Sequence, residues 1–156
     1  MQIKVTNRGT AEVIKFDIPY IVISIYSTGS GPANIPSHST CLDVLSIQFD
    51  DLAEDIFTED LTYKAITEQQ ANKIWTFVDY YLKCNRPNLT PSIDDHKAEL
   101  ILIHCDAGTC RSPAVAAAIE FYYTGNDVKW FKFPYLPNMK VYNTMLKVKG
   151  LSNEYT

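Results

Sequence analysis

Runs of adjacent apolar residues, more than alternation, mark the strands of this chain. Tyr20 to Tyr26 is β-branched and aromatic but for Ser24, with Pro19 before it and Gly29, Gly31 and Pro32 after it. Such a run predicts a strand buried on both faces. Leu100-Ile101-Leu102-Ile103 is a second run of this kind. Cys41 to Phe49, with Leu42, Val44, Leu45, Ile47 and Phe49, predicts another strand, and Ile3 to Val5 a short one followed by one short helix. The period then changes. Ala71, Ile74, Trp75, Val78, Tyr81 and Leu82 recur at helical spacing behind Thr67 and Gln70, a capping-box pair, and this helix is expected to end before Pro87. Pro113 to Tyr123 is Ala-rich and apolar nearly all round, which predicts a buried helix with Gly125 as its C-cap. Asn138 to Lys149 reads as a final helix with Met139, Tyr142, Met145 and Leu146 on one face. Residues 27–40, 50–64 and 85–97 read as connections, and the aromatic stretch Trp130 to Tyr135 as core plus loop. Strands alternating with helices predict an α/β fold, a central mostly parallel sheet flanked by helices.

Length and composition narrow this to one globular domain over residues 1–156, with 46% hydrophobic residues. A chain of this size buries roughly 68–70% of its unfolded surface, enough for a core without staples. No apolar run approaches the roughly 18 residues of a membrane span. The opening residues Met1 to Val5 show no charged segment leading into an apolar one, so a cytoplasmic protein with no membrane partner is expected. A net charge of −4 argues against a nucleic-acid partner. Cys41, Cys84, Cys105 and Cys110 form no C-x-x-C pair, and His38 with Cys41 is short of the four ligands of a zinc site, so no metal and no cofactor are expected. Gly29-Ser30-Gly31 opens like a dinucleotide turn, but position 34 is Asn where that motif needs its third Gly.

The chemistry concentrates where the Leu100–Ile103 run meets the Ala-rich helix, in His104-Cys105-Asp106-Ala107-Gly108-Thr109-Cys110-Arg111-Ser112-Pro113. A strand, a tight loop and a helix N-terminus make an anion cradle: successive N–H groups point inward and the helix dipole adds positive potential. Gly108 permits the tight turn, Arg111 offers a planar two-pronged donor for phosphate, and Pro113 lacks an N–H that the first helical turn does not need. Cys105 stands at the mouth, where positive potential favours the nucleophilic thiolate.

His104-Cys105, five residues, Arg111-Ser112 resembles the signature of the cysteine-dependent protein tyrosine phosphatases. The order of strand, acidic loop, long helix, strand, signature loop and buried helix is similar to the small dual-specificity branch. The stretch Leu136-Pro137-Asn138 resembles the segment that starts the last helix there and props the signature loop. The resemblance implies that Cys105 attacks phosphorus, Arg111 binds the phosphate and Ser112 eases departure of the thiolate. It further implies that residues 106–111 form the phosphate-binding loop (Asp106, Ala107, Gly108, Thr109, Cys110 and Arg111), that His104 tunes Cys105, and that Asn138 supports the loop. The Cys-x4-Cys-Arg-Ser-Pro form also resembles low-molecular-weight tyrosine phosphatases, as a local likeness.

A leaving oxygen needs a proton, so a carboxylic acid must stand near Cys105. Asp94 and Asp95 precede the strand that leads to Cys105 and so sit at the far end of the sheet. Asp50 and Asp51 follow the carboxyl end of the Cys41–Phe49 strand, and both reach the active end if the strands are parallel. The resemblance aligns Asp51 with the acid and leaves Asp50 as the reserve. Asp106 is expected to point outward. Between Cys105 and Arg111 there is no Lys or Arg, and Asp50 to Asp60 holds six carboxylates, which disfavours polyanionic substrates. A phosphoprotein or phosphopeptide partner is therefore expected, with phosphotyrosine favoured and phosphoserine or phosphothreonine allowed. Cys110 is either a small filler or close enough to Cys105 for a reversible disulfide. Arsenate reduction, sulfur transfer and phosphopeptide binding without turnover are the other uses of such a loop. The oligomeric state stays open.

Overall fold

The computed structural model describes residues 1–82 and 97–151. The connection read over 85–97, including Asp94 and Asp95, therefore lies outside the described residues except for Lys97. The described elements run β1 (Gln2–Thr6), α1 (Arg8–Ala11), β2 (Tyr20–Tyr26), β3 (Cys41–Gln48), β4 (Ile56–Phe57), β5 (Thr62–Tyr63), α2 (Glu68–Leu82), β6 (Leu100–His104), α3 (Arg111–Thr124), a 3-10 turn (Val128–Phe131) and α4 (Met139–Val148). The main sheet has the order β1-β6-β2-β3 with every pairing parallel. The α/β class and the parallel sheet are as the sequence pattern predicts.

The two continuous apolar runs occupy the two central positions of the sheet. β6 is buried along its whole length, and β2 along all but its last residue. The period of two still operates inside these runs. Ile21, Ile23, Ile25, Ile101 and Ile103 face one side, where they pack with α2, α3 and α4. Tyr20, Val22, Leu100 and Leu102 face the other, covered by Ile14, Phe16, Ile18 and Ile35 from the connections. The three long helices thus share one face, and the second is closed by shorter segments.

The local signals operate as written. Thr67 N–H donates to Gln70 Oε1 at 3.0 Å and Gln70 N–H to Thr67 Oγ1 at 3.1 Å, a reciprocal capping box. Gly125 ends α3 in the left-handed region. α3 is buried from Arg111 to Ile119 because its apolar residues leave no polar face to turn outward. The connection 50–64 differs from the expected plain loop: it contains the antiparallel hairpin β4–β5. Strands of two residues carry no readable period, and Ile56 and Phe57 are exposed. Among the described residues no helix is long and apolar enough to cross a membrane.

Candidate active site

Parallel strands bring their carboxyl ends, and the segments that follow them, to one end of the sheet. Thr6 pairs with His104, and His104 with Ser24. The next residues are therefore neighbours: Asn7 and Arg8 after β1, Ser27 and Thr28 after β2, Phe49 to Asp51 after β3, and Cys105 to Cys110 after β6.

The loop 105–110 is held by its carbonyls. Cys105 O accepts from His104 Nδ1 at 3.1 Å, Asp106 O from Arg8 N–H at 3.1 Å, Thr109 O from Leu136 N–H at 2.8 Å, and Cys110 O from Asn138 N–H at 2.9 Å. In a trans peptide the following N–H points opposite to its carbonyl. The amides of Asp106, Ala107, Cys110 and Arg111 are accordingly turned away from these outer partners, toward the centre of the loop. Gly108 has φ +74°, and a Cβ there would lie 2.7 Å from the carbonyl carbon and oxygen of Thr6. It serves both the left-handed turn and the close approach of the β1–α1 link.

Cys105 is buried at the base of this loop. Its Sγ receives the Gly108 N–H at 3.3 Å and lies 3.1 Å from Ser112 Oγ. His104 is fully buried. Its Nδ1 must donate to the Cys105 carbonyl, which can only accept. In the neutral ring Nε2 then takes the Ser24 hydroxyl hydrogen, at 2.6 Å. Burial pushes the imidazole pKa down, which outweighs its bond to the Cys105 carbonyl.

Arg111, the first residue of α3, is also buried. Its Nη1 donates to Ser27 Oγ and to Phe49 O, each at 2.8 Å, and its Nη2 to Asp106 Oδ2 at 3.0 Å. With both Nη1 hydrogens and one on Nη2 engaged, Nε–H and the second Nη2 hydrogen have no partner among the described residues and form one two-pronged edge. Asp106, expected to point outward, stays partly exposed but does not turn away from the site. Its carboxylate folds back onto Arg111 and accepts the Ser27 hydroxyl at 2.6 Å. The guanidinium is the strongest local donor for a carboxylate one loop away.

The two aspartates after β3 are placed differently. Asp50 is buried, and three donors hold it: Thr28 N–H at 2.8 Å, Thr28 Oγ1 at 2.7 Å and Lys64 N–H at 2.8 Å. Burial pushes its carboxyl up, but the Thr28 and Lys64 hydrogen bonds and the Arg111 charge outweigh this and hold it below the usual range. Asp51 is exposed, and its Oδ1 accepts from Asn138 Nδ2 at 2.7 Å. Its carboxylate also lies against Cys110, whose thiol is pushed up by burial and by that negative charge. Asn138 at the same time caps α4, accepting the Val141 N–H at 3.1 Å. Cys105 and Cys110 are free thiols, with Cys110 half-buried and 3.6 Å from Thr109 Oγ1. Among the described residues no three His, Cys, Asp or Glu side chains converge as metal ligands would.

Ser27, Ser24, Thr6 and Phe49 belong to this arrangement although no motif marks them. Ser27 sits in a Ser/Gly/Thr stretch that reads only as a turn. The available signal was its position just past a strand end, usable once the strand order is known.

No protein-family model and no curated protein matches the sequence. Solved structures are similar in fold. The human tyrosine phosphatase-like serine/threonine/tyrosine-interacting protein superposes with a TM-score of 0.59 at 16% identity, covering 95% of this chain and 91% of that one. Tk-PTP in its active form superposes with a TM-score of 0.53 at 14% identity, covering 96% and 92%. The fold is that of the dual-specificity-like tyrosine phosphatases, as the sequence resemblance implies.

Proposed function

We propose that this protein hydrolyses phosphate monoesters on phosphotyrosine proteins, with phosphoserine and phosphothreonine as further substrates, through a cysteinyl-phosphate intermediate. The observation that carries this is the loop itself. Four outward-held carbonyls turn four amides inward around a buried sulfur that already accepts an N–H, beside an arginine with one free two-pronged edge. This arrangement suits a tetrahedral dianion, with phosphorus above Cys105 Sγ. The sulfur attacks, and the S–P bond forms as the ester P–O bond breaks. Asp51 gives its proton to the leaving oxygen. Water then attacks phosphorus, Asp51 takes a proton from it, and the sulfur departs as thiolate with the Ser112 hydroxyl donating to it. Inorganic phosphate is the second product. Asp51 suits the acid role because it is exposed and tethered beside the loop by Asn138. Asp50, with three donors on its carboxylate, is held ionised and serves as a tie between Thr28 and Lys64. A nucleophile that acts as a free thiolate needs a reducing compartment, which favours the cytoplasm.

Hydrolysis of a generic aryl phosphate by purified protein, sensitive to vanadate and indifferent to chelators, is the direct test. Cys105→Ser is expected to abolish turnover, and Asp51→Asn to slow it by about two to four orders of magnitude. Full activity in Cys105→Ser overturns the mechanism. A crippled Asp50→Asn beside an unaffected Asp51→Asn moves the acid by one residue. Release of tyrosine phosphate but not serine phosphate from model peptides would narrow the substrate class.

A further inference from the structure

Between Cys105 and Arg111 the signature loop carries one charged side chain, and that anion is turned onto the site's cation. Asp106 Oδ2 accepts from the Ser27 hydroxyl at 2.6 Å and from Arg111 Nη2 at 3.0 Å, while Ser27 Oγ accepts from Arg111 Nη1 at 2.8 Å. This closed ring of three side chains fills the outer edge of the guanidinium. The edge left over fits one phosphate.

Resting on the phosphate-ester reading above, we propose that Asp106 is a specificity-determining residue: a built-in anion beside Arg111 that admits an isolated phosphate monoester and turns away groups carrying a second phosphate next to the first. A group with adjacent phosphates needs a second cation beside the one that binds the first. Here that place is taken by a carboxylate. Burial raises the Asp106 carboxyl, but the Ser27 and Arg111 hydrogen bonds and the Arg111 and Arg8 charges outweigh it, so the group stays ionised. Its side chain is 46% exposed, so its charge is open to solvent at the rim beside Arg111 and is not fully spent within the protein. Arg8, the other nearby cation, is directed elsewhere: its Nη1 donates to Gly31 O at 2.9 Å, its Nη2 to Pro32 O at 3.0 Å, and Glu12 lies 3.9 Å from its Nε.

The test measures how well inorganic phosphate, phenyl phosphate and pyrophosphate protect Cys105 from alkylation by iodoacetamide, read by peptide mass. This measure needs no turnover, so it stands apart from the hydrolase reading. Wild-type protein is expected to bind phosphate and phenyl phosphate about tenfold more tightly than pyrophosphate, with the gap closing at about 0.5 M salt. Asp106→Asn keeps the size of the side chain and removes its charge. It is expected to bring pyrophosphate to within about twofold of phosphate. Equal protection by phosphate and pyrophosphate in the wild type overturns the inference whatever the variant does. So does a gap that Asp106→Asn, folded by its melting curve, leaves unchanged. Phenyl phosphate binding as poorly as pyrophosphate would show that bulk, not charge, is refused. Protection in this order with no hydrolysis of phenyl phosphate leaves the specificity assignment standing and fails the hydrolase reading instead.

Discussion

A methyl group on Gly108 would sit 2.7 Å from the Thr6 carbonyl and 2.8 Å from the Asn7 nitrogen, all backbone atoms that cannot rotate away. Gly108→Ala must also hold φ at +74°, which L side chains rarely adopt. The expected cost is on the order of 3 kcal/mol, seen as a lower urea midpoint, together with loss of phosphate protection of Cys105. The need for a glycine here was legible in the sequence, because a loop between strand and helix must turn tightly. That it turns against Thr6 was not, since the partner lies at the other end of the chain. Ser27 makes the same point for polar groups. Its hydroxyl bonds residues 79 and 84 positions away, and hydrophobic periodicity says nothing about where a serine will meet an arginine. If Ser27 positions the guanidinium, Ser27→Ala should raise KM for an aryl phosphate about tenfold with a smaller change in kcat, and Ser27→Thr should restore it. Equal loss in kcat and KM, or no rescue by Thr, would assign it a structural part only.

The start of α4 does three things through one residue. Asn138 caps the helix, donates to the Cys110 carbonyl with its backbone and holds Asp51 with its side chain. Two substitutions separate these duties. Asn138→Ala loses a cap, about 1 kcal/mol of stability, and frees Asp51, so kcat should fall. Asn138→Asp keeps the cap but puts a carboxylate against Asp51. Stability should recover while kcat stays low, measured by thermal melting and steady-state kinetics. Full kcat in Asn138→Asp would mean that Asp51 needs no tether. The elements with strong local chemistry were legible: the Thr67–Gln70 box, the Gly125 cap, the Asn138 start. The β4–β5 hairpin was not, because it is too short for a period and shows its apolar residues to solvent.

Across the whole molecule, the buried His104 ties stability to pH. The unfolded chain takes up a proton near pH 6.5 that the folded chain refuses, because burial lowers the pKa of the ring. This contribution is complete above the unfolded value and falls as pH drops through it, at up to about 1.4 kcal/mol per pH unit, until the folded value is reached. Asp50, whose carboxyl is held low, adds a second loss below about pH 4. Denaturant titrations from pH 7 to 5 should show the first slope in the wild type and a weaker one in His104→Asn. An unchanged slope would place the proton elsewhere. The four strands of the main sheet could be read from their apolar residues, and their parallel direction from the alternation with helices, but their order could not, since no strand encodes its neighbours. That order bears on how the chain folds. β6 lies between β1 and β2, with Gln2 and Tyr20 both beside Leu100. A chain made from its N-terminus cannot complete the centre of its sheet until that late segment arrives. Folding dominated by such distant pairings is slow and concerted. The Cys105 sulfur, one residue past β6, therefore acquires its surroundings in the same step that closes the sheet, and a nascent chain carries no partly built site.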